Sequence, residues 1–236
     1  MSQDILGGIG LIAILINGLA TSLGALLGIL LKKGIPEKLT QSLFGGIALC
    51  VAVMAIQGAL KTENLLLLLL STGIGIIVGT ALGIEDHMHQ LGDWLRQKMR
   101  SGKDDKFMTG FVTLSVMQVI GAMAILGPVQ AALLGDTSLL YFKSVLDGIS
   151  AFIFGAIYGM GTLPVGIIVF VYEALFFLLS AVVAPLMTPD VIRELNAVGS
   201  IMILAISLNM LGLTKLKVAD YLPGLFIPVI YYAIFP

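Results

Sequence analysis

Lys143 and Asp147 stand four residues apart in YFKSVLDGISAFIFG, a spacing that puts an ammonium and a carboxylate on one helical face with Ser144 and Ser150 beside them. Such a pair can neutralise itself. Lys143 lies close enough to the end of its apolar stretch to snorkel, whereas Asp147 sits deeper. Glu173 falls near the middle of VGIIVFVYEALFFLLSAVV with no basic residue in the same stretch, so its partner must come from elsewhere. A charge at the bilayer centre costs about 3 kcal/mol on insertion scales and more on others, so each such group is paired, wetted or used. Lys143 is the obvious candidate to reach Glu173. Failing that, Glu173 is wetted or carries a proton, the state from which a carboxylate can couple proton movement to transport. The structural alternatives are a plain ion pair for Lys143 and Asp147 and a neutral, hydrogen-bonded glutamic acid at 173.

Other polar groups interrupt apolar segments. In FVTLSVMQVIGAMAILGPVQAALLGD, Gln118 precedes Gly121, Gly127 and Pro128. Proline lacks an amide donor and frees a carbonyl one turn earlier, so a helix opened at Gly127–Pro128 would offer backbone oxygen to a ligand; a static kink is the plainer outcome. Asn17, Thr21, Gln57, Ser207 and Asn209 read as helix-to-helix hydrogen-bonding groups, each contributing about 1 kcal/mol. The candidate binding set for a small solute or ion is therefore Lys143, Asp147, Glu173, Asn17, Gln118, Gly121 and Gly127. His87 and His89 are two apart and point to different helix faces, a poor metal pair. The single cysteine, Cys50, falls mid-helix, where it forms no intramolecular disulfide and no metal cluster. No nucleotide fingerprint, catalytic Ser or Cys constellation or basic aromatic patch is present. No enzyme, cofactor, metal or nucleic-acid partner is expected.

The elements that must position these groups are membrane helices. Of 236 residues 58% are hydrophobic and 11% charged, with 28 glycines and a mean hydropathy of +1.05. A soluble domain carries about 25% charged residues. Runs of about 20 apolar residues, long enough to cross the hydrocarbon core, recur along the chain. They give eight segments, or seven if the fourth is counted differently, at roughly 6–31, 39–60, 64–84, 107–134, 139–159, 161–185, 191–212 and 218–235. The fold class is all-α and polytopic, with the whole chain as one membrane domain.

Basic residues orient it. With the N-terminus outside, inside loops hold ten of the 13 Lys and Arg, among them Lys32, Arg96, Arg100 and Lys217, while Lys61 and Arg193 lie outside and Lys143 is intramembrane. MSQDILGG has no Lys or Arg ahead of its apolar stretch and no small-residue cleavage site follows, so the first helix is expected to stay. Residues 85–101 place Met88, Leu91, Trp94, Leu95 and Met99 on one face and basic groups elsewhere, an interfacial helix on the cytoplasmic leaflet. Small-xxx-small stripes at Gly24 and Gly28, at Gly75, Gly79 and Gly83, and at Gly155 and Gly159 allow close backbone approach inside one subunit or across a homodimer.

Displacing the chain on itself by 153 positions sets Gly8 on Gly161, Pro36 on Pro189, Gly46 on Gly199, Ala52 on Ala205 and Leu60 on Leu213. The copies span 6–84 and 161–235, separated by the helices of 107–159, and an odd offset of five spans makes them antiparallel. Inverted repeats of this kind suit alternating access to a central site. Chance likeness of two apolar three-helix segments is the competing explanation.

GAMAILG at 121–127, KSVLDGI at 143–149, LGDWL at 91–95 and NAVGSIMILAISLNMLG at 196–212 are similar to the bacterial YqgA/YdfK-type membrane proteins, a family named for its domain of unknown function. The resemblance runs over essentially the whole chain and implies a multi-pass protein of the bacterial cytoplasmic membrane. It carries no substrate or site. The expected function is a secondary transporter or permease for a small solute or ion with a midplane polar site. The alternative is a non-transporting scaffold or regulator that binds anionic lipid or a cytoplasmic partner through 96–106.

Overall fold

The computed structural model describes residues 3–31, 37–99, 105–120 and 123–235, and every regular element among them is helical. The chain forms an all-α, polytopic membrane fold. Helices Gly8–Leu31, Leu65–Leu82, Ser138–Thr162 and Pro189–Met210 are long and apolar enough to cross a membrane, and two bent pairs raise the number to six. Ala48–Ala59 and Val218–Ile234 are shorter apolar segments. All eight expected segments are thus helical, and length and composition make four to six of them candidate spans.

The chain divides into two compact units. The first comprises Met1–Gly34 and Leu91–Pro185, the second Ile35–Gln90 and Leu186–Pro236. In the first unit α1 (Gln3–Leu31) packs along α7 (Ser138–Tyr158) and against α8 (Val165–Leu178), with α5 (Asp105–Val119) and α6 (Met123–Leu134) completing the bundle. In the second, α2 (Glu37–Ala59) packs on α10 (Pro189–Met210), and α3 (Leu65–Leu82) on the 3-10 segment Val218–Phe226 that leads into α11 (Ile227–Ile234). Helix α4 (Ile84–Lys98) follows α3, and a short α9 (Ser180–Val183) follows α8.

On α1 the buried face is built mostly of small and polar groups, with Ile14 the large aliphatic exception. Along α1 the inward positions Gly10, Ala13, Asn17, Gly18, Thr21, Gly24, Ala25 and Gly28 recur every three or four residues, while Leu15, Leu19, Leu23, Leu27 and Leu30 face outwards. Lipid is as apolar as leucine, so burying leucine between helices gains little, whereas close packing of small residues gains dispersion contacts. The glycine stripes are used inside the subunit. A Cβ on Gly24 or Gly155 would run into the Gly148 or Ala25 carbonyl across the α1–α7 seam, and one on Gly79 into that of Asp220. Gly83 serves otherwise: at φ +61° it caps the C-terminus of α3.

The fourth segment does bend, but not where proline suggested. Helix α6 runs straight through Gly127 and Pro128, and the 52° change of direction lies between α5 and α6. The carbonyl that the Pro128 ring would crowd belongs to Ala124, the second residue of α6, where the helix has barely begun. A second bend, of 67°, separates α8 from the following Ser180–Leu186.

Loops expected on the same face of the membrane meet. Lys217 pairs with Asp86 at 3.0 Å, and Arg193 with Glu63 at 3.2 Å. Within the second unit Asp220 accepts the Glu85 amide at 2.8 Å while the Glu85 carboxylate accepts the Ala219 amide at 2.8 Å, a reciprocal clamp at the start of α4. Burial pushes the Glu85 carboxyl above the ordinary glutamate range, against the opposing pull of the Ala219 amide and His89.

Two expectations follow from these contacts. Gly155→Val should destabilise the protein by about 1–3 kcal/mol through overpacking of the α1–α7 seam, whereas Gly8→Ala, with open space around it, should change thermal unfolding in detergent very little. A carboxyl whose pKa is higher in the fold than in the unfolded chain contributes stability that is fully present below the unfolded value and lost as pH rises through the folded one. The stability of the unaltered protein relative to Glu85→Gln should therefore decline with rising pH across that window; a difference that is flat or grows would contradict the clamp's electrostatics.

Candidate functional site

Helix α1 brings Asn17 to its midpoint on the inward face, and α7 brings Lys143 and Asp147 to the same seam because its buried positions, Leu140, Lys143, Ser144, Asp147, Ala151 and Phe154, follow helical spacing. Helix α8 adds Glu173 through its inward face of Val165, Gly166, Val169 and Glu173. Close approach makes the meeting possible. A Cβ on Gly18 would lie 2.7 Å from the Gly166 carbonyl, so α1 and α8 touch backbone to backbone at the residue next to Asn17.

The four side chains close a ring of alternating nitrogen and oxygen. Asn17 Nδ2 donates to Asp147 Oδ2 at 3.1 Å and to Glu173 Oε1 at 2.6 Å. Lys143 Nζ donates to the same Asp147 Oδ2 and lies 3.4 Å from the same Glu173 Oε1. Two donor atoms thus bridge two acceptor atoms, and one oxygen of each carboxylate is inside the ring. Asn17 and Glu173 are 0% exposed, Lys143 5% and Asp147 7%. Glu173 has the partner its own helix could not supply.

Gln118 extends the cluster from α5. Its Nε2 donates to the Asp147 backbone carbonyl at 3.0 Å and to Ser150 Oγ at 3.2 Å, and its Oε1 accepts Thr21 Oγ1 at 3.1 Å. Four helices therefore meet through polar contacts in one unit. Asn17, Gln118, Lys143, Asp147 and Glu173 of the candidate set are brought together; Gly127 packs instead on Leu140 of α7, and Gly121 lies outside the described residues. Ser144 turns back to the Leu140 carbonyl. Two buried polar atoms at the ring, Asn17 Oδ1 and Glu173 Oε2, have no hydrogen-bond partner among the described residues.

A groove of about 580 Å³ runs along the outer face of α1 and α7, lined by Ile16, Ala20, Gly24, Ser144 and Gly148 among others, and none of the four ring side chains lines it. The ring is occluded. Its chemistry is that of a site for a donor or a cation: two carboxylates face one ammonium, and the unfilled atoms are both acceptors.

Three buried carboxylates were not singled out from sequence. Glu194, fully buried in the first turns of α10, accepts Thr62 Oγ1, the Glu63 amide at 2.9 Å and Arg193 Nε at 3.3 Å. Asp220 and Glu85 form the clamp described above. Each sits at the end of an apolar segment beside other charges, so it reads as a solvated loop residue. Asn209, expected to bridge helices, instead caps the turn after α10 through Leu216 and Thr214, whereas Ser207 does bridge, to the Ala48 carbonyl at 2.7 Å.

Residues 12–233 match the model of a family described as "Protein of unknown function (DUF554)". The chain belongs to the DUF554 family. It is 29% identical over 209 residues to the uncharacterized membrane protein YdfK of Bacillus subtilis (strain 168), covering 87% of this chain and 88% of that one. It is 27% identical over 217 residues to the uncharacterized protein YqgA of Escherichia coli (strain K12), covering 89% and 91%. No solved structure matches. The DUF554 chain described here is a membrane protein of a family whose function is unknown, and its ring is the feature from which a role can be argued.

The ring makes its members interdependent. Lys143→Met should cost about 3–5 kcal/mol, because it leaves buried carboxylates without their cation. Adding Asp147→Asn to that variant should recover part of the loss. Thermal unfolding of the two variants in detergent decides the point: if the double variant is less stable than Lys143→Met, the charges are not coupled as drawn.

Proposed function

We propose that this DUF554 protein is a secondary transporter or permease for a small solute or ion, with its binding site at the cluster of Asn17, Gln118, Lys143, Asp147 and Glu173. One observation carries the reading: three ionisable side chains from two apolar helices are gathered in one buried cluster, where the cost of burial makes an idle charge expensive. In the same reading the chain lies in the bacterial cytoplasmic membrane with its N-terminus outside and catalyses no reaction.

The register of the elements supports an inverted repeat. A displacement of 153 carries the bounds of α2, 37–59, to 190–212 beside α10 at Pro189–Met210, and those of α3, 65–82, to 218–235 beside the segment Val218–Ile234. It carries residues 12–25 of α1 onto α8 and residues 27–30 onto α9. Each compact unit joins equivalent pieces, α1 with α8 in one and α2 with α10 in the other. Ser71 and Gly224, 153 apart, touch: a Cβ on Gly224 would be 2.7 Å from the Ser71 carbonyl.

The occlusion of the ring favours a second reading, a non-transporting membrane scaffold in which the network is structural. Helix α4, which exposes Leu91 and Trp94 and places Lys98 4.8 Å above the Trp94 ring, would then be the part that meets lipid or a partner. A thermal-shift screen of small ions and metabolites on purified protein separates the two. Under the transport reading a ligand should stabilise the unaltered protein, bind Asp147→Asn at least about tenfold more weakly, and enter proteoliposomes. Ligands that shift both proteins equally, or that bind without crossing, would sink it.

A further inference from the structure

We infer that the Asn17–Glu173 pair is a proton site, in which Glu173 holds one exchangeable proton on Oε2 and donates it to Asn17 Oδ1. The role of that proton in coupling rests on the transport reading above; its presence does not.

Charge is the first reason. The ring contains two carboxylates and one ammonium, so full ionisation leaves one net negative charge among side chains no more than 7% exposed. Hydrogen bonding is the second. Asn17 Nδ2 spends its two N–H groups on Asp147 Oδ2 and Glu173 Oε1, and Lys143 directs two of its three to the same two oxygens, so every donor contact of the ring goes to the atoms inside it. Outside it are Asn17 Oδ1 and Glu173 Oε2, both buried, both acceptors and both without a donor. A single proton on Oε2 answers every term: it neutralises the excess charge, turns one orphan into a donor, and gives the other orphan that donor. An amide and a carboxylic acid can pair through two antiparallel hydrogen bonds, N–H to one carboxyl oxygen and O–H back to the amide oxygen.

The surroundings single out Glu173 over Asp147. Asp147 Oδ2 receives both Lys143 and Asn17, so the ammonium is paired most directly with Asp147 and lies farther from Glu173, at 3.4 Å. Of the elements packed against α8, α1 presents Asn17 and carries one ionisable residue, Asp4 in its first turn, α6 and α9 contain no ionisable side chain, and α5 carries Gln118 and, in its first turn only, Asp105 and Lys106. Lys143 and Asp147 reach Glu173 from α7, and Tyr172 precedes it on α8 itself. A metal cation fits less well. Hard cations take about six or more oxygen ligands, and here the two orphan oxygens stand beside a resident ammonium.

A proton here also changes the ring. When Glu173 loses it, Oε2 becomes a charged acceptor with no donor, and the Lys143 ammonium, already 3.4 Å from Oε1, is the cation free to move toward it and away from Asp147. Proton release thus loosens the Lys143–Asp147 pair. That is a route by which proton occupancy and the binding of a second solute at Asp147 would be linked.

Infrared difference spectroscopy on the purified full-length protein reads the proton directly. At neutral pH the protein should show a protonated-carboxyl C=O band that shifts on 13C-glutamate labelling, does not shift on 13C-aspartate labelling, and is lost in Glu173→Gln. Glu194→Gln and Glu85→Gln, which alter the other buried glutamates among the described residues, should retain it, as should Glu37→Gln and Glu63→Gln, and these assign the band by elimination should Glu173→Gln not fold. No such band at neutral pH, a band that survives Glu173→Gln, or one that follows aspartate labelling would overturn the inference. Proteoliposome flux is scored separately. A band in a protein that moves neither protons nor solute keeps the proton site and removes the transport reading; flux without the band removes the proton site alone.

Discussion

Hydrocarbon offers neither donor nor acceptor, so a polar side chain on a membrane helix must be satisfied by another helix, and in this protein the satisfied atoms form one closed circuit. Lys143, Asp147, Asn17 and Glu173 alternate donor and acceptor around four contacts. The circuit fixes more than itself. For Asn17 to reach both α7 and α8, α1 must lie against each, which is why glycines stand at 18, 24, 28, 155 and 166, where a Cβ would meet opposing backbone. Packing of small residues and pairing of charges are thus one constraint expressed twice. The small residues bring the backbones close enough for short side chains to meet, and the meeting holds the seam in register.

The exterior follows from the same logic. Leu15, Leu19, Leu23 and Leu27 on α1, with Val145 and Ile149 on α7, face outwards because lipid accepts them as readily as a protein core would. An apolar surface of this extent would be an aggregation liability in water. Here it is the boundary with the solvent the fold was made for, and the helix-terminal clamps, Asp220 with Glu85 and Glu194 with Thr62 and Glu63, carry the polar contacts of the second unit.

Much of the ring was legible in the sequence because polarity is rare there. In an apolar segment Asn17, Gln118, Asp147 and Glu173 stand out individually, and the four-residue spacing of Lys143 and Asp147 gives their pairing outright. What spacing cannot supply is which helices meet, so the bridge from Asn17 to both carboxylates, and from Gln118 to the Asp147 carbonyl, needed three dimensions. The misread features have a common cause. Pro128 is a strong local signal, yet its steric demand falls on a carbonyl at the very start of α6; Gly83 fits a packing stripe by spacing, yet it is a left-handed cap. Glu194 and Asp220 were hidden for the opposite reason, standing among charges where burial leaves no compositional trace.

The choice of asparagine at position 17 shows how narrowly the ring is specified. The position must give two hydrogen bonds from one atom to two carboxylates while adding no charge. Serine and threonine donate once, and aspartate would set three carboxylates against one ammonium. Glutamine has the right group but on a longer arm, which would carry its amide past the 2.6 and 3.1 Å contacts that Asn17 makes. Asparagine therefore satisfies donor count, charge and reach together. It also leaves its own oxygen as the one neutral acceptor beside Glu173 Oε2, so the residue that closes the ring is the residue that opens a place for one more hydrogen.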